Sequence, residues 1–255
     1  MKEKIYTIPV TEAFKEECEC PMCLLEKRFE DEMVNYTLGP SLMEPDNRIE
    51  SNENGFCKKH FELLYNKQEN RLGLGLIIDT HMTEWNQKFL NIYNKKAENP
   101  SNLGVKGFFS RMAAGGSNAS GLVDDFIDAL SSYEEKCVIC GKLNYTMDRY
   151  IDVILYLWFH EEDFQKLFNS KLGFCLKHLK MLLLGAKKYL KPNKLSPFVN
   201  NLLKMQIENM QRIQEEVNWF TKKFDYQNQD APWGNSRDAI PRSIQKLVGY
   251  SNLKQ

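Results

Sequence analysis

Apolar residues recur along this chain at intervals of three and four, and strand-like alternation is weak everywhere. Between residues 196 and 224, Val199, Leu203, Met210, Ile213, Val217, Phe220 and Phe224 fall on one stripe, interrupted only by Gln206. Ile78, Met82, Trp85, Phe89 and Ile92 repeat the pattern earlier in the chain. Stripes of this period bury one face of a helix against other helices, so the expected fold is all-α. Ser196 followed by Pro197 supplies a cap and a first-turn proline for the later helix.

The pattern is written twice. A short acidic helix ("TEAFKEECE", "VDDFIDALSSYEEK") precedes a cysteine pair, CPMC at 20–23 and CVIC at 137–140. Then come 33 or 34 residues, the motif GFCKKH at 55–60 or GFCLKH at 173–178, an apolar helical stretch and a longer closing helix. The stretch 99–121 is rich in Gly, Ser and Asn without periodicity and reads as a linker. The expected organisation is a first repeat at 1–98, the linker, a second repeat at 122–226 and a C-terminal tail at 227–255. The repeats have diverged between their cysteine motifs. The second fills the gap with an amphipathic helix, whereas prolines, glycines and Asn/Asp residues make 37–54 of the first a predicted loop.

The motifs bring chemistry into the picture. A CxxC and a CxxH together supply three thiolates and one imidazole, a set that suits tetrahedral zinc. A two-residue gap lets a tight turn aim both cysteines at one ion, and the CxxH offset places both side chains on one helix face. The reading is two Cys3His zinc sites, each pinning its own repeat: Cys20, Cys23, Cys57 and His60 in the first, Cys137, Cys140, Cys175 and His178 in the second. An iron–sulfur cluster is the competing cofactor. Buried unliganded cysteines or a thioredoxin-like redox pair fit a duplicated pattern less well. A closed four-ligand site has no position for substrate, so its default role is structural. Cys18 reads as a surface residue, and His81 and His160 as ordinary packed or surface histidines.

Composition narrows the class. Seven cysteines without an export signal argue for metal or thiol chemistry rather than a disulfide framework. The longest apolar run, "VILYLWF", falls far short of the ~20 residues of a membrane span. A cytoplasmic location is expected. Net charge is zero, yet residues 1–100 carry 13 Lys/Arg against 18 Asp/Glu, and 101–255 carry 21 against 16. Nine lysines and no acid lie between Asp163 and Glu208.

The run "CPMC…NYTLGPSLMEPDNRIESNENGFCKKH…NRLGLGLIIDTH", with "CVICGK…GFCLKH" and the tail "APWGNSRDAIPRSIQKLVG", resembles a family of uncharacterised bacterial proteins of this size. That family is catalogued as a domain of unknown function, and some members carry a label as transporter substrate-binding proteins. The resemblance implies the paired layout and no established activity. Helical periodicities and the missing export signal speak against the transporter label.

Function is expected in three places. The loop 37–54 offers Glu44, Asp46 and Arg48 beside a metal site, for a polar ligand or acid–base work. The tail offers Trp233, Arg237, Asp238 and Arg242. The lysine-rich stretch 165–207, with Lys177, Lys180, Lys187 and Lys188, could hold nucleic-acid phosphates, although arginine is absent there and apolar residues intervene. No nucleophile elbow, phosphate loop, HExxH or dinucleotide glycine pattern occurs, which points away from an enzyme. The leading expectation is a zinc-binding adaptor or regulator engaging a protein partner through the loop and the tail. The alternative is an enzyme or small-ligand binder with a pocket between them.

Overall fold

The computed structural model describes residues 4–96, 119–134, 136–251 and 253. The expected linker lies outside the described residues except for 119–121, which open a helix. Eleven α-helices, three short 3-10 segments and no strand make up the described residues. In order they are α1 (Lys4–Lys15), α2 (Pro21–Leu38), α3 (Pro45–Asn54), α4 (Lys58–Asn66) and α5 (Arg71–Lys96). Then follow α6 (Ala119–Glu134), α7 (Val138–His160), α8 (Glu162–Asn169), α9 (Leu176–Tyr189), α10 (Pro192–Lys222) and α11 (Ala239–Val248). No helix among them is long and apolar enough to cross a membrane.

The stretch 37–54 is largely helical rather than a loop. A 3-10 turn at Pro40–Met43 leads into α3. Pro45 occupies the first turn of α3, where its missing N–H costs nothing, and Asp46 complements the helix dipole. Gly55, at φ 58°, ends the helix. These prolines start helices instead of breaking them. The same effect moves the start of α10 to Pro192, leaving Ser196 and Pro197 inside the helix.

The buried stripes are also displaced from their expected registers. On α10 the inward residues are Phe198, Leu202, Met205, Gln206 and Ile213, while Leu203 is 37% exposed. On α5, Leu74, Ile77 and His81 are buried and Ile78 and Met82 face outward. Trp85 packs edge-on against Tyr133 of α6, and Phe89 lies against Phe126.

Two compact units emerge, and they do not follow the consecutive repeats. One is split in sequence, comprising Met1–Glu30 and Leu143–Gln255; the other is continuous, Asp31–Lys142. Helix length gives the reason. An α-helix rises 1.5 Å per residue, so α2 carries the chain about 27 Å away from the first CxxC, and α3 returns only about 15 Å. In the second repeat α7 carries it about 35 Å and α8 returns about 12 Å. Neither GFCxxH motif is brought back to its own CxxC.

The split unit has an aromatic centre. Phe14 lies 5.1, 5.6 and 6.2 Å from Phe164, Phe168 and Phe174, ring centre to ring centre. Phe198 adds contacts to Phe168 and Trp158. Burying each phenyl contributes about 1.5–3 kcal/mol. Gly185 of α9 lets that helix approach α7, since a Cβ there would come within 2.2 Å of the Ile151 side chain. The continuous unit has a smaller core of Val34, Leu38, Phe56, Leu64, Leu74, Ile77, Val138 and Ile139.

Candidate metal centres

The eight candidate ligands gather into two groups, but each group draws on both repeats. Cys20 and Cys23 meet Cys175 and His178 in the split unit; Cys57 and His60 meet Cys137 and Cys140 in the continuous unit. The expected pairing inside each repeat is therefore corrected to a crossed one, for the reason of helix length just given.

Local structure aims each ligand. Cys175 and Cys57 are the N-cap residues of α9 and α4, extended in backbone, and each histidine lies three residues on, in the first helical turn. The Cys23 N–H donates to the Cys20 carbonyl at 3.0 Å, closing the CxxC turn. In the split unit His178 Nδ1 lies 3.5, 3.4 and 3.1 Å from the sulfurs of Cys20, Cys23 and Cys175, and the Cys23 and Cys175 sulfurs are 3.7 Å apart. In the continuous unit His60 Nδ1 lies 3.2, 3.2 and 3.4 Å from Cys57, Cys137 and Cys140, with Cys57 and Cys140 sulfurs 3.8 Å apart. Zinc bond lengths of about 2.3 Å to sulfur and 2.0–2.1 Å to nitrogen place tetrahedral edges at about 3.8 Å and 3.5 Å. Both groups fit one tetrahedral ion.

The motif glycines hold the approach. Gly55 and Gly173 have φ of 58° and 84°, a region that favours glycine. Each is braced by the closing helix of its own repeat. Gln206 Nε2 donates to the Phe174 carbonyl at 2.9 Å and its Oε1 accepts the Phe174 N–H at 2.8 Å. His81 Nδ1 bonds the Asn52 carbonyl at 2.7 Å, and a Cβ at Gly55 would come within 2.6 Å of its Nε2. In the continuous unit the Val138 N–H also donates to the Gly55 carbonyl at 3.1 Å, tying motif to motif.

The surroundings differ. Cys20, Cys23, Cys175 and His178 are fully buried. Glu26, one turn beyond Cys23, sets a carboxylate oxygen 3.2 Å from His178 Nε2 and pairs with Lys177. This carboxylate–histidine pairing fixes which ring nitrogen faces a metal. Burial pushes the Glu26 carboxyl up, but His178 and Lys177 outweigh it and hold it at about 2. Burial likewise pulls His178 down, and Cys175, Cys23 and Glu26 raise it to about 11 in the metal-free set. Hydrogen bonds from Cys20 and Cys23, with His178, hold Cys175 far below the ordinary thiol range.

In the continuous unit Cys57 and Cys140 are only half-buried. Burial raises Cys137, but His60 and the backbone N–H groups of Cys140 and Cys57 outweigh it, lowering the thiol to about 6. Cys140 goes the other way, raised to about 12 by burial and by the neighbouring Cys137 and Cys57 sulfurs. The residue three beyond Cys140 is Leu143, where the other cysteine pair has Glu26.

The C-terminal tail docks within the split unit. Lys246 of α11, 1% exposed, donates to the carbonyls of Glu19 and Leu172 and pairs with the Glu19 carboxylate at 2.9 Å. Arg212 and Arg242 complete the ring around Glu19 at 2.7 and 3.2 Å. A Cβ at Gly249 would lie 3.6 Å from the Cys175 sulfur and 3.9 Å from that of Cys23, so the end of α11 covers this centre. Burial pushes the half-buried Cys18 thiol up, and it joins neither group.

The other expected site residues are occupied with folding contacts or stand exposed. Glu44 accepts from Tyr36 at 2.7 Å and from Asn47; Arg48 bonds Thr80 at 3.1 Å; Asp46 is exposed in the first turn of α3. Trp233 packs on Phe220 and Phe224 beneath the Lys223 ammonium, which donates to the carbonyls of Asn228, Gln229 and Ala231. Arg242 bonds Glu19, Glu216 and Asp238, and Arg237 is exposed. Among the lysines, Lys177 pairs with Glu26, Lys188 with Asp148 and Lys166 with Glu162. Glu19, Glu26, Gln206 and Lys246 were not singled out by sequence reasoning. Two of them carried a local signal: Glu26 by its three-residue offset from Cys23, and Gln206 as the one polar break in an apolar stripe.

Fold and site define a helical protein with two three-cysteine, one-histidine groups, each able to hold a metal ion. The chain belongs to a family of unknown function, DUF6062, whose model matches residues 1–254. No curated protein and no solved structure matches it.

Proposed function

We propose that this is a cytoplasmic zinc protein whose two ions clasp segments from its two repeats, and that it serves as an adaptor or regulator engaging a protein partner. The clasp reading is carried by the ligand geometry. In each group all four donor atoms lie within 4.8 Å of one another, a set that closes around one ion. Such a set leaves no position for a substrate and no room for the extra irons and sulfides of a cluster.

The partner reading rests on α5 and α6. Val123, Ile127 and Leu130 form an i, i+4, i+7 row on α6 and are 44–55% exposed, while Phe126 of the same helix packs against Phe89. Ile78, Met82 and Leu90 are exposed on α5. A helix apolar on both faces is built to be covered. In place of the loop and tail first considered, this surface is the proposed contact. The small-ligand reading has less support. The cavity beside Tyr36, Asn47, Arg48 and Lys142 is about 20 Å³, room for one water, and the larger recess of about 270 Å³ beside Glu53, Glu84, Trp85 and Lys88 is open to solvent.

Native mass spectrometry of protein purified without oxygen, with elemental analysis, tests the clasp. Two zinc ions per chain is the expected result; iron with visible colour overturns it. For the partner, a photo-crosslinking residue at Ile127 in cells is expected to give a discrete adduct, and one at exposed Lys204 is not. Identical adduct patterns from both positions would remove α6 as the contact surface.

A further inference from the structure

The two centres share a ligand set but not a cover. The split-unit ligands are fully buried beneath Gly249 and the end of α11. In the continuous unit Cys57 and Cys140 are half-buried, and their sulfurs sit 3.8 Å apart. These two thiols come from opposite repeats, 83 positions apart in sequence.

We propose that the centre of the continuous unit is an oxidisable thiolate site, in which a hydroperoxide joins Cys57 to Cys140 and expels the metal while the buried centre keeps its own. The inference rests on the zinc reading above. Metal-bound thiolates remain nucleophilic, and reagent access selects among them. One of the two sulfurs attacks the outer oxygen of the peroxide, the O–O bond breaks, and a sulfenic acid and hydroxide or alkoxide form. The neighbouring thiolate then attacks that sulfur and displaces hydroxide, forming the S–S bond. The two sulfurs lose two electrons together and the peroxide gains two. Cys137 and His60 remain as two donors, too few to retain the ion, which departs into water.

The consequence follows from the crossed pairing. A disulfide inside one CxxC would release the contact between repeats, whereas a Cys57–Cys140 bond replaces the metal across the same junction. Oxidation would thus free zinc without unclasping the unit. Closing the bond needs the sulfurs to move from 3.8 Å to about 2.05 Å.

The test uses the full-length chain loaded with zinc. Its metal count is first read by native mass spectrometry; fewer than two ions defeats the zinc reading and this inference with it. Hydrogen peroxide is then added with a chromophoric zinc chelator present, and the products are mapped as peptides. One equivalent of zinc should be released, with a peptide pair linking Cys57 to Cys140, while the second equivalent stays bound. Iodoacetamide should alkylate Cys57 and Cys140 at least about tenfold faster than Cys20, Cys23 and Cys175, because access controls the rate. Simultaneous release of both ions, earlier loss from the buried centre, or a Cys137–Cys140 link would each overturn the proposal with the two-ion count intact.

Discussion

Centre and counterpart begin from the same four side chains and end in different environments. The buried centre has a carboxylate behind its histidine, a lysine within 1% of full burial beside it and a C-terminal helix over its sulfurs. The half-buried one carries Leu143 three residues beyond its CxxC, where the other carries Glu26, and has a smaller hydrophobic core behind it. Duplication of a motif copies its ligands but not what packs around them. The stability and reactivity of a metal site depend on that packing as much as on the ligands.

The largest effect should come from breaking one centre and then the other. A structural zinc site can contribute roughly 10 kcal/mol or more of apparent binding energy to folding. Cys175→Ser is expected to abolish the cooperative unfolding of the split unit by circular dichroism in urea. Cys57→Ser should lower the midpoint while leaving one ion bound. Equal losses would erase the distinction between the centres.

A cut chain probes the crossing itself. A protease site placed between residues 96 and 119 gives two fragments, each holding half of both ligand sets. After cleavage they should co-elute with zinc bound and separate once a chelator removes it in mild urea. Separation with both zinc ions retained on the fragments would restore pairing within each repeat.

Smaller effects come from the lysines near each centre. Lys246→Met leaves two carbonyls and a buried carboxylate short of a donor, and should cost about 2–4 kcal/mol in urea unfolding. Lys142, which pairs with Glu50 at 2.8 Å in the continuous unit, has a side chain 31% exposed. Lys142→Met should cost less than about 1 kcal/mol, because solvent screens the pair. Costs in the reverse order would show that burial does not set the difference.

Away from both centres, Asp148 sets the floor. Burial raises its carboxyl, but Lys188 and Tyr189 outweigh it and lower it below the ordinary value of 3.8. A depressed acid contributes stability above its unfolded pKa, and that contribution is lost as pH falls through the folded one. Asp148→Asn should therefore cost less than about 1 kcal/mol at pH 7, and the cost should shrink as pH falls below the ordinary carboxyl range. A cost that does not shrink in acid would mean that shape, not charge, holds the contact.

How much of this was legible from the chain varies by residue. All eight members of the two groups could be named, because CxxC and CxxH are local patterns whose spacing carries their chemistry. The helical class was legible from period alone, whereas registers slipped. Val199 and Leu203 looked inward on α10, but Phe198 and Leu202 are the buried pair. Adjacent apolar residues leave a stripe's centre ambiguous until a neighbouring helix selects one edge. The helix at 45–54 was missed because its proline and acidic residues serve equally in turns and in helical first turns.

The sequence by itself determined the ligand types, their two-residue spacings, the twofold repetition and the all-helical class. Each follows from chemistry or periodicity within a few residues. Only the tertiary structure decided which CxxC meets which GFCxxH, that Glu26 backs His178, and that the tail covers the split-unit centre. Two motifs of identical ligand chemistry are interchangeable on paper. What separates them is distance: an outgoing helix of 18 or 23 residues is not retraced by a returning one of 10 or 8, so each cysteine pair finds its partner in the other repeat.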